Sequence, residues 1–292
     1  MGLNYFRNSL DFLSYSDRYS GLLELIDRKQ EKINLLIADS PLAYLISGIN
    51  RDSGRSVLIV TSTPDKARKM YEELLFWGND NDRIRLFPEA ENIQFERITS
   101  EESIAHERIV TLDKAISTDL PNLRPIIVTS IQGICQSTLS VANFLSSRSH
   151  VSVGQSTRLD ELLAYWLQIG YTLDPVTEIP GRMSRRGGIL DIFPPGYENP
   201  VRIEFFGDTI ESIRFFDPYH QTSIGTTNSV VVLPPREYLP SLIDENVYSD
   251  MSKALDFSNC TNEVSEGIRH EIAGLSEGGD IAGMILYQGV MC

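Results

Sequence analysis

The strongest constraint on the fold is a change in the spacing of apolar residues near residue 146. Before that point, short apolar runs alternate with segments whose apolar residues recur every three to four positions, as in alternating strands and helices. After it, apolar and polar residues alternate one by one between glycine-containing turns, as in antiparallel strands. With 292 residues, the chain can bury a core on each side of this change. The sequence therefore predicts an α/β domain followed by a small α+β domain.

The first part of the chain predicts a mostly parallel sheet covered by helices. Its short apolar runs are the predicted strands, Ile33–Ala38, Ser56–Thr61, Arg83–Phe87 and Pro125–Ser130. Between and before them, helical spacing predicts helices over 5–33, from Pro64 onward and over Glu101–Ser117.

The second part begins with a predicted helix over Leu159–Ile169, which Gly170 ends. Three antiparallel strands follow, Gly188–Phe193, Val201–Phe206 and Thr209–Phe216. The last two are separated by Gly207-Asp208 alone, and a leading glycine is typical of a type II′ hairpin turn.

Side chains alternate between the two faces of a strand, which assigns the residues of the middle strand to opposite sides. The residues expected to face the core are Val201, Ile203 and Phe205. Those expected on the other side are Arg202, Glu204 and Phe206. Phe206 has two alternatives, exposure on a docking surface or coverage by a neighbouring helix.

Composition excludes several classes of protein. A formal net charge of −14 opposes non-specific nucleic-acid binding, which depends on lysine and arginine, so we expect no DNA binding by this chain alone. No apolar run is long enough to span a bilayer and no secretory signal begins the chain, which predicts a cytoplasmic location. Three cysteines without CxxC spacing and four scattered histidines predict no disulfide framework and no metal site.

Several sequence blocks resemble one pair of protein families. The segment Arg185–Pro195 and the following Val201–Asp217 resemble the second domain shared by UvrB and the transcription-repair coupling factors (Mfd). A second block, Leu86–Leu112, is similar to their first domain. A third, Gly267–Tyr287, is similar to the point where their chain re-enters that domain. The carboxyl terminus has no cap or polar tail, and we interpret the chain as a piece of a longer protein.

The resemblance implies a degenerate P-loop NTPase-like parallel sheet domain with an inserted small α+β domain containing an antiparallel sheet. The implied boundaries are 1–145 for the first domain, 146–232 for the UvrA-binding second domain and 233–292 for the return into the first. In UvrB the first strand-to-helix turn is a P-loop, with glycines around the phosphates and a lysine on their oxygens. Here the matching segment, Ile37–Ala43, has neither, and it contains Asp39 and Pro41. This departure favours the coupling factors over an ATPase.

For these families the resemblance implies a surface that binds UvrA in nucleotide excision repair. The site residues it implies are Arg182, Arg185, Arg186, Arg202, Glu204 and Phe206. For Arg182, Arg185 and Arg186, a solvated loop is the alternative interpretation. No cofactor and no catalysis are expected in this chain, whereas the parent protein resembles an ATP- and Mg²⁺-dependent translocase acting on RNA polymerase and double-stranded DNA. The remaining alternatives are a UvrB-type ATPase that binds damaged DNA, and a structural domain that packs against its own parent.

Overall fold

The structure, a computed structural model, describes residues 9–78, 81–90, 102–116, 124–237, 239, 253 and 255–276. The chain divides into two compact units. Unit 1 comprises Met1–Glu89 and Thr111–Gln136, and unit 2 comprises Ala90–Val110 and Ser137–Cys292. The domain boundaries 1–145, 146–232 and 233–292 stay a prediction.

Unit 1 is built on a three-stranded parallel sheet of order β1-β3-β2, with strands β1 (Val57–Thr61), β2 (Ile84–Phe87) and β3 (Ile126–Ser130). Its helices are α1 (Asp17–Asp27), α2 (Leu42–Ser53), α3 (Pro64–Trp77) and the short α5 (Ile131–Ile134), preceded by a 3₁₀ helix over Ser9–Tyr15. The helix α4 (Glu102–Ile116) crosses the division between the units. Three of the predicted strands and their parallel arrangement are therefore confirmed.

The helix α3 illustrates how the sequence fixes an element locally. The hydroxyl of Thr63 accepts a hydrogen bond from the backbone N–H of Lys66, and Pro64 occupies the first turn, where its missing N–H costs nothing. Apolar residues from α2, α3, β2 and β3 then form the core of unit 1: Ala43, Ala67, Leu74, Ile84, Ile126 and Val128.

Two predictions for the amino-terminal part are wrong. Residues 33–38 form no strand, and the side chains of Leu35 and Leu36 are exposed. An apolar run becomes a strand only when its backbone pairs with a neighbour, and this one has no hydrogen-bonded partner strand among the described residues. The helix expected over 5–33 is two shorter pieces in its described part, because Ser16 caps a new helix and accepts a bond from Tyr19.

Unit 2 is built on a six-stranded sheet of order β10-β9-β8-β7-β6-β5. Its strands are β5 (Thr172–Leu173), β6 (Arg182–Arg186), β7 (Ile189–Ile192), β8 (Val201–Phe206), β9 (Thr209–Phe216) and β10 (Ser223–Thr226). All neighbours are antiparallel except the pair of β5 and β6. The three predicted strands and the two-residue hairpin are confirmed, and Gly207 has the positive φ of +61° that a type II′ turn requires.

Two further strands, β4 (Ser149–Ser152) and β11 (Ser229–Val232), form a separate antiparallel pair. Among the described residues, unit 2 has the helices α6 (Val141–Ser147), α7 (Leu159–Gln168) and α8 (Asn262–Ser276), along with the first part of α4. Gly170 adopts a φ of +99° just beyond α7, which confirms the predicted end of that helix.

The core of unit 2 lies against one face of the six-stranded sheet. Val201 and Ile203 are buried in it, Phe205 packs against it in a partly buried position, and Trp166 joins it from α7. Arg202, Glu204 and Phe206 point to the opposite face, as strand alternation predicts. A bulge between Glu204 and Phe205 shifts the pairing with β9 without reversing the two faces.

Candidate functional site

The candidate site is the face of the six-stranded sheet that points away from the core, called here the outer face. Residues directly opposite each other on paired strands share a face. One row across the outer face therefore runs from Asp191 on β7 through Arg202 on β8 to Arg214 on β9. The neighbouring row contains Arg186 on β6 and Glu204 on β8, with Ile189 and Ser212 as their paired neighbours.

Arg202 lies at the centre of a hydrogen-bonded cluster. Its Nε and Nη2 atoms donate to the two carboxylate oxygens of Asp191 at 2.7 and 2.8 Å, and Nη2 also donates to Oε1 of Gln221 at 2.8 Å. Its guanidinium lies 4.4 Å from the centroid of the buried Phe216 ring. The hydrogen bonds to Asp191 raise the pKa of Arg202 above its ordinary value. Only 13% of the Arg202 side chain and 3% of that of Asp191 are exposed, so this pair supports the sheet from within.

Glu204 is also held by neighbours on the outer face. Its carboxylate accepts a hydrogen bond of 2.7 Å from the Ser212 hydroxyl and forms an ion pair with Arg214. Both charged side chains are about one third exposed. Glu204 therefore reaches solvent with its charge already balanced.

Arg186 differs from the other arginines of the predicted site. Its Nη2 atom donates to the backbone carbonyl of Pro175 at 3.2 Å, and no carboxylate within the described residues forms an ion pair with it. The residue is exposed at the end of β6, beside the Gly187-Gly188 turn. Arg186 consequently presents a fixed positive charge with hydrogen-bonding capacity to spare.

Phe206 is the apolar counterpart of Arg186. Phe206 is the last residue of β8 and lies at the same end of the strands as Arg186, because the β6–β7 and β8–β9 turns lie at one end of the antiparallel sheet. The patch that Arg186 and Phe206 form at this end is called the edge below. Its ring is 78% exposed. Ordinary strand spacing separates the two residues by roughly 12 Å. Of the two alternatives for Phe206, exposure is the one observed.

The remaining two predicted residues lie apart from this edge. Arg182, at the other end of β6, bonds to Glu102 at 3.0 Å and lies 3.5 Å from Asp174. Arg185 pairs in register with Leu190, so it points toward the core side, where it forms an ion pair with Asp160 of α7. The six predicted residues thus do not form one cluster, and none of the arginines lies in the solvated loop considered as their alternative.

The second sequence block, around Arg108, contributes packing. The buried guanidinium of Arg108 donates to both carboxylate oxygens of Glu237 at 2.9 and 3.0 Å. Two residues earlier, burial lowers the pKa of the His106 imidazole to about 4, and the guanidinium groups of Arg182 and Arg236 add to the effect. These residues join α4 to the segment that follows β11.

Sequence reasoning missed Asp191, Arg214 and Gln221, which hold the site together. Asp191 carried a usable signal, since a carboxylate between Leu190 and Ile192 in an apolar strand needs a buried partner. The identity of that partner depends on the register between β7 and β8, which is a tertiary property.

Other parts of the chain bear on the remaining classes of site. In residues 37–43, the exposed Pro41 precedes α2, and no side chain among the described residues caps that helix. Within the described part of the chain, no group of three or more potential ligands could hold a metal ion. The same residues contain no helix long and apolar enough to cross a membrane. Cys135 and Cys260 are free and exposed, and Cys292 lies outside the described residues.

A comparison with known proteins connects this surface with a described domain family. Residues 150–238 match the family model described as the UvrB interaction domain, and this range contains all strands of the six-stranded sheet. The chain is also similar to several transcription-repair-coupling factors. That of Myxococcus xanthus is 37% identical over 154 residues, which are 53% of this chain and 13% of the relative.

Two other relatives extend the similarity along the chain. The transcription-repair-coupling factor of Bacillus subtilis is 26% identical over 233 residues, or 80% of this chain and 19% of the relative. That of Mycobacterium tuberculosis is 28% identical over 228 residues, or 76% of this chain and 18% of the relative. The chain thus spans about a fifth or less of each of these proteins. The resemblance to the UvrB-like module of the coupling factors is confirmed.

Proposed function

We propose that this chain is a protein-interaction module of transcription-coupled excision repair that recruits UvrA to stalled transcription complexes. The observation that carries the proposal is the edge formed by Arg186 and Phe206 within the UvrB interaction domain. Arg186 offers a charge with no carboxylate partner in the described part of the chain, and Phe206 offers an exposed aromatic ring. Because UvrB is the other family with this domain, the module acts by offering UvrA the surface that UvrB otherwise offers.

The chemistry of the edge defines what the partner must present. A planar guanidinium binds a carboxylate through two parallel hydrogen bonds, so a carboxylate of UvrA is the expected contact of Arg186. An exposed phenylalanine adds affinity when it enters an apolar pocket, since its ring then leaves water. Arg202, Arg214 and Glu204 lie between or beside these groups with their charges balanced internally. They keep the sheet rigid, so that little conformational freedom is lost on binding.

The module is proposed to have no catalytic activity and no cofactor of its own. Unit 1 is taken as a degenerate P-loop-like domain, because the segment Ile37–Ala43 has no lysine or glycine to hold phosphates and Asp39 would repel them. In the longer parent, a separate ATP- and Mg²⁺-dependent motor is expected to act on double-stranded DNA and RNA polymerase. A net charge of −14 supports the view that this module does not hold DNA by itself.

The rival function is that of a UvrB-type ATPase, and a nucleotide titration discriminates between them. Calorimetry with ATP and Mg²⁺ is expected to give no saturable heat with this chain. Tight, Mg²⁺-dependent binding would favour the rival and contradict the degenerate P-loop.

The partner is tested by titrating purified UvrA with this chain. Saturable binding that weakens by tenfold or more in Arg186→Ala is the expected result. The matched control is Arg158→Ala, which removes another exposed arginine of unit 2, at the start of α7 on the core side of the sheet. Equal affinity of the unaltered chain, Arg186→Ala and Arg158→Ala would show that Arg186 is not part of the contact with UvrA. Failure of the unaltered chain to bind would favour a structural domain that packs against its own parent.

A further inference from the structure

A second exposed aromatic side chain lies at the end of the sheet opposite Phe206. The loop that joins β9 to β10, residues 217–222, carries Tyr219, which is 80% exposed. Since β8 and β9 are antiparallel, the loop after Phe216 lies at the far end of the strands from the Gly207-Asp208 turn. The six residues of β8 place the two aromatic side chains on the order of 20 Å apart.

The loop around Tyr219 is held in one conformation by its own side chains. Oδ1 of Asp217 accepts hydrogen bonds from the backbone N–H groups of Tyr219 and His220, at 2.8 and 3.0 Å. The backbone N–H of Gln221 donates to the carbonyl of Asp217 at 2.8 Å, and that of Asp217 donates to Thr222 at 2.9 Å. Tyr219 is therefore displayed from a closed turn, so little order has to be imposed on it when a partner binds.

Gln221 connects this turn to the centre of the outer face. Its Nε2 atom donates to the carbonyl of Pro218 at 2.7 Å, while its Oε1 atom accepts from Nη2 of Arg202 at 2.8 Å. The residue has a φ of +55°, a conformation that a non-glycine residue adopts at a cost and keeps only when its surroundings fix it. Arg202 is in turn fixed by Asp191. The position of Tyr219 thus depends on a chain of contacts that begins at the buried ion pair.

We propose that Tyr219 is a second aromatic anchor for the partner protein, and that Arg202 and Gln221 are positioning residues that aim it. The inference rests on the proposed function and deepens it. Because the other charges on the outer face are balanced by their neighbours, Arg186 is the expected contact for a carboxylate. The rings of Phe206 and Tyr219 are the expected apolar contacts. The partner surface that fits carries a carboxylate near one apolar pocket and a second pocket on the order of 20 Å away. Tyrosine suits the second pocket because its ring is apolar and its hydroxyl keeps a polar contact.

The test is UvrA binding by calorimetry with Tyr219→Ala, Tyr219→Phe and Gln221→Gly, each checked for an unchanged unfolding midpoint. Tyr219→Ala is expected to weaken binding about tenfold, while Tyr219→Phe stays within about threefold of the unaltered chain. Leu167→Ala on α7 is the control for loss of an exposed apolar side chain on the other side of the sheet, and it is expected to bind unchanged.

The positioning role has its own readout. Gln221→Gly relieves the positive φ but removes the bond to Arg202, so it is expected to weaken binding several-fold. That loss is expected to vanish when Tyr219 is already alanine, because coupled residues are non-additive. Undiminished binding by Tyr219→Ala, or a Gln221→Gly effect of the same size in both backgrounds, would overturn the inference. If Arg186→Ala weakens binding and Tyr219→Ala does not, only this inference fails. If the unaltered chain does not bind UvrA, the proposed function fails with it.

Discussion

Arg202 and Asp191 lie directly opposite each other on β8 and β7 and are joined by two hydrogen bonds of 2.7 and 2.8 Å. The pair is nearly buried, whereas Arg214 and Glu204 on the same face are about one third exposed. A family motif that looks from the sequence like a binding surface thus contains its own internal support. Residues that support the sheet and residues that contact the partner are therefore expected to respond differently to substitution.

Substitutions of Arg202 and of Asp191 are expected to lower the free energy of unfolding by different amounts. Arg202→Met leaves the Asp191 carboxylate buried without its partner and should lower the free energy of unfolding by about 3 kcal/mol. Asp191→Asn should cost less, because Arg202 keeps its bond to Gln221 and can reach water. Urea unfolding measures both. Arg214→Met, which breaks a pair about one third exposed, is the control and should cost less than about 1 kcal/mol. Equal costs for Arg202→Met and Arg214→Met would contradict the supporting role.

His106 is expected to make stability depend on pH. Its pKa is about 4 in the folded chain and 6.5 for an unperturbed histidine. As the pH falls from 6.5 towards 4, the unfolded chain takes up a proton before the folded one does, and stability is lost. The loss is on the order of 3 kcal/mol across this window. His106→Gln should therefore flatten the slope of unfolding free energy against pH relative to the unaltered chain. An unchanged slope in His106→Gln would contradict this expectation.

The backbone conformation at Gly207 is expected to require glycine. It has a φ of +61° with open space around the position of a Cβ atom, so the cost of a side chain there is conformational. Gly207→Ala should destabilise the chain by about 1 kcal/mol in thermal unfolding. Gly225 on β10 also has open space but no positive φ, which makes Gly225→Ala the matched control. The same loss in both variants would indicate strand flexibility as the cause.

Phe206 should separate binding from stability. Because its ring is 78% exposed, Phe206→Ala is expected to change the free energy of unfolding by less than about 0.5 kcal/mol. Its affinity for UvrA should nevertheless fall about tenfold in a calorimetric titration. A large loss of stability without a change in affinity would place Phe206 in the fold instead of the contact.

The extent to which sequence predicts this fold differs between its regions. Val201 and Ile203 follow from alternation because apolar residues on one face of β8 alternate with charged residues on the other. Residues 33–38 have the same apolar character, yet no strand lies beside them among the described residues. Strand β6 is the reverse case, a strand that the sequence did not predict. Its arginines look like a loop, and only pairing with β7 makes it a strand.

The sequence selected candidate residues for the site but could not give their arrangement. The motif resemblance selected Arg186 and Phe206, which the fold brings to one edge, but also Arg185, which points to the core side. That difference comes from a one-residue step along β6, since neighbouring side chains on a strand face opposite ways. The ion pairs that distinguish Arg202 from Arg186 depend on register across the sheet and could not be read from one strand alone.

This module and UvrB are expected to offer UvrA the same kind of surface. The most direct measurement is competition, in which a preformed complex of UvrA with labelled UvrB is titrated with this chain and the bound label is followed by fluorescence anisotropy. Displacement of UvrB by the unaltered chain, with a much weaker effect of Arg186→Ala, is the predicted result. Formation of a stable complex of all three proteins, with UvrB undisturbed at saturating module, would contradict it.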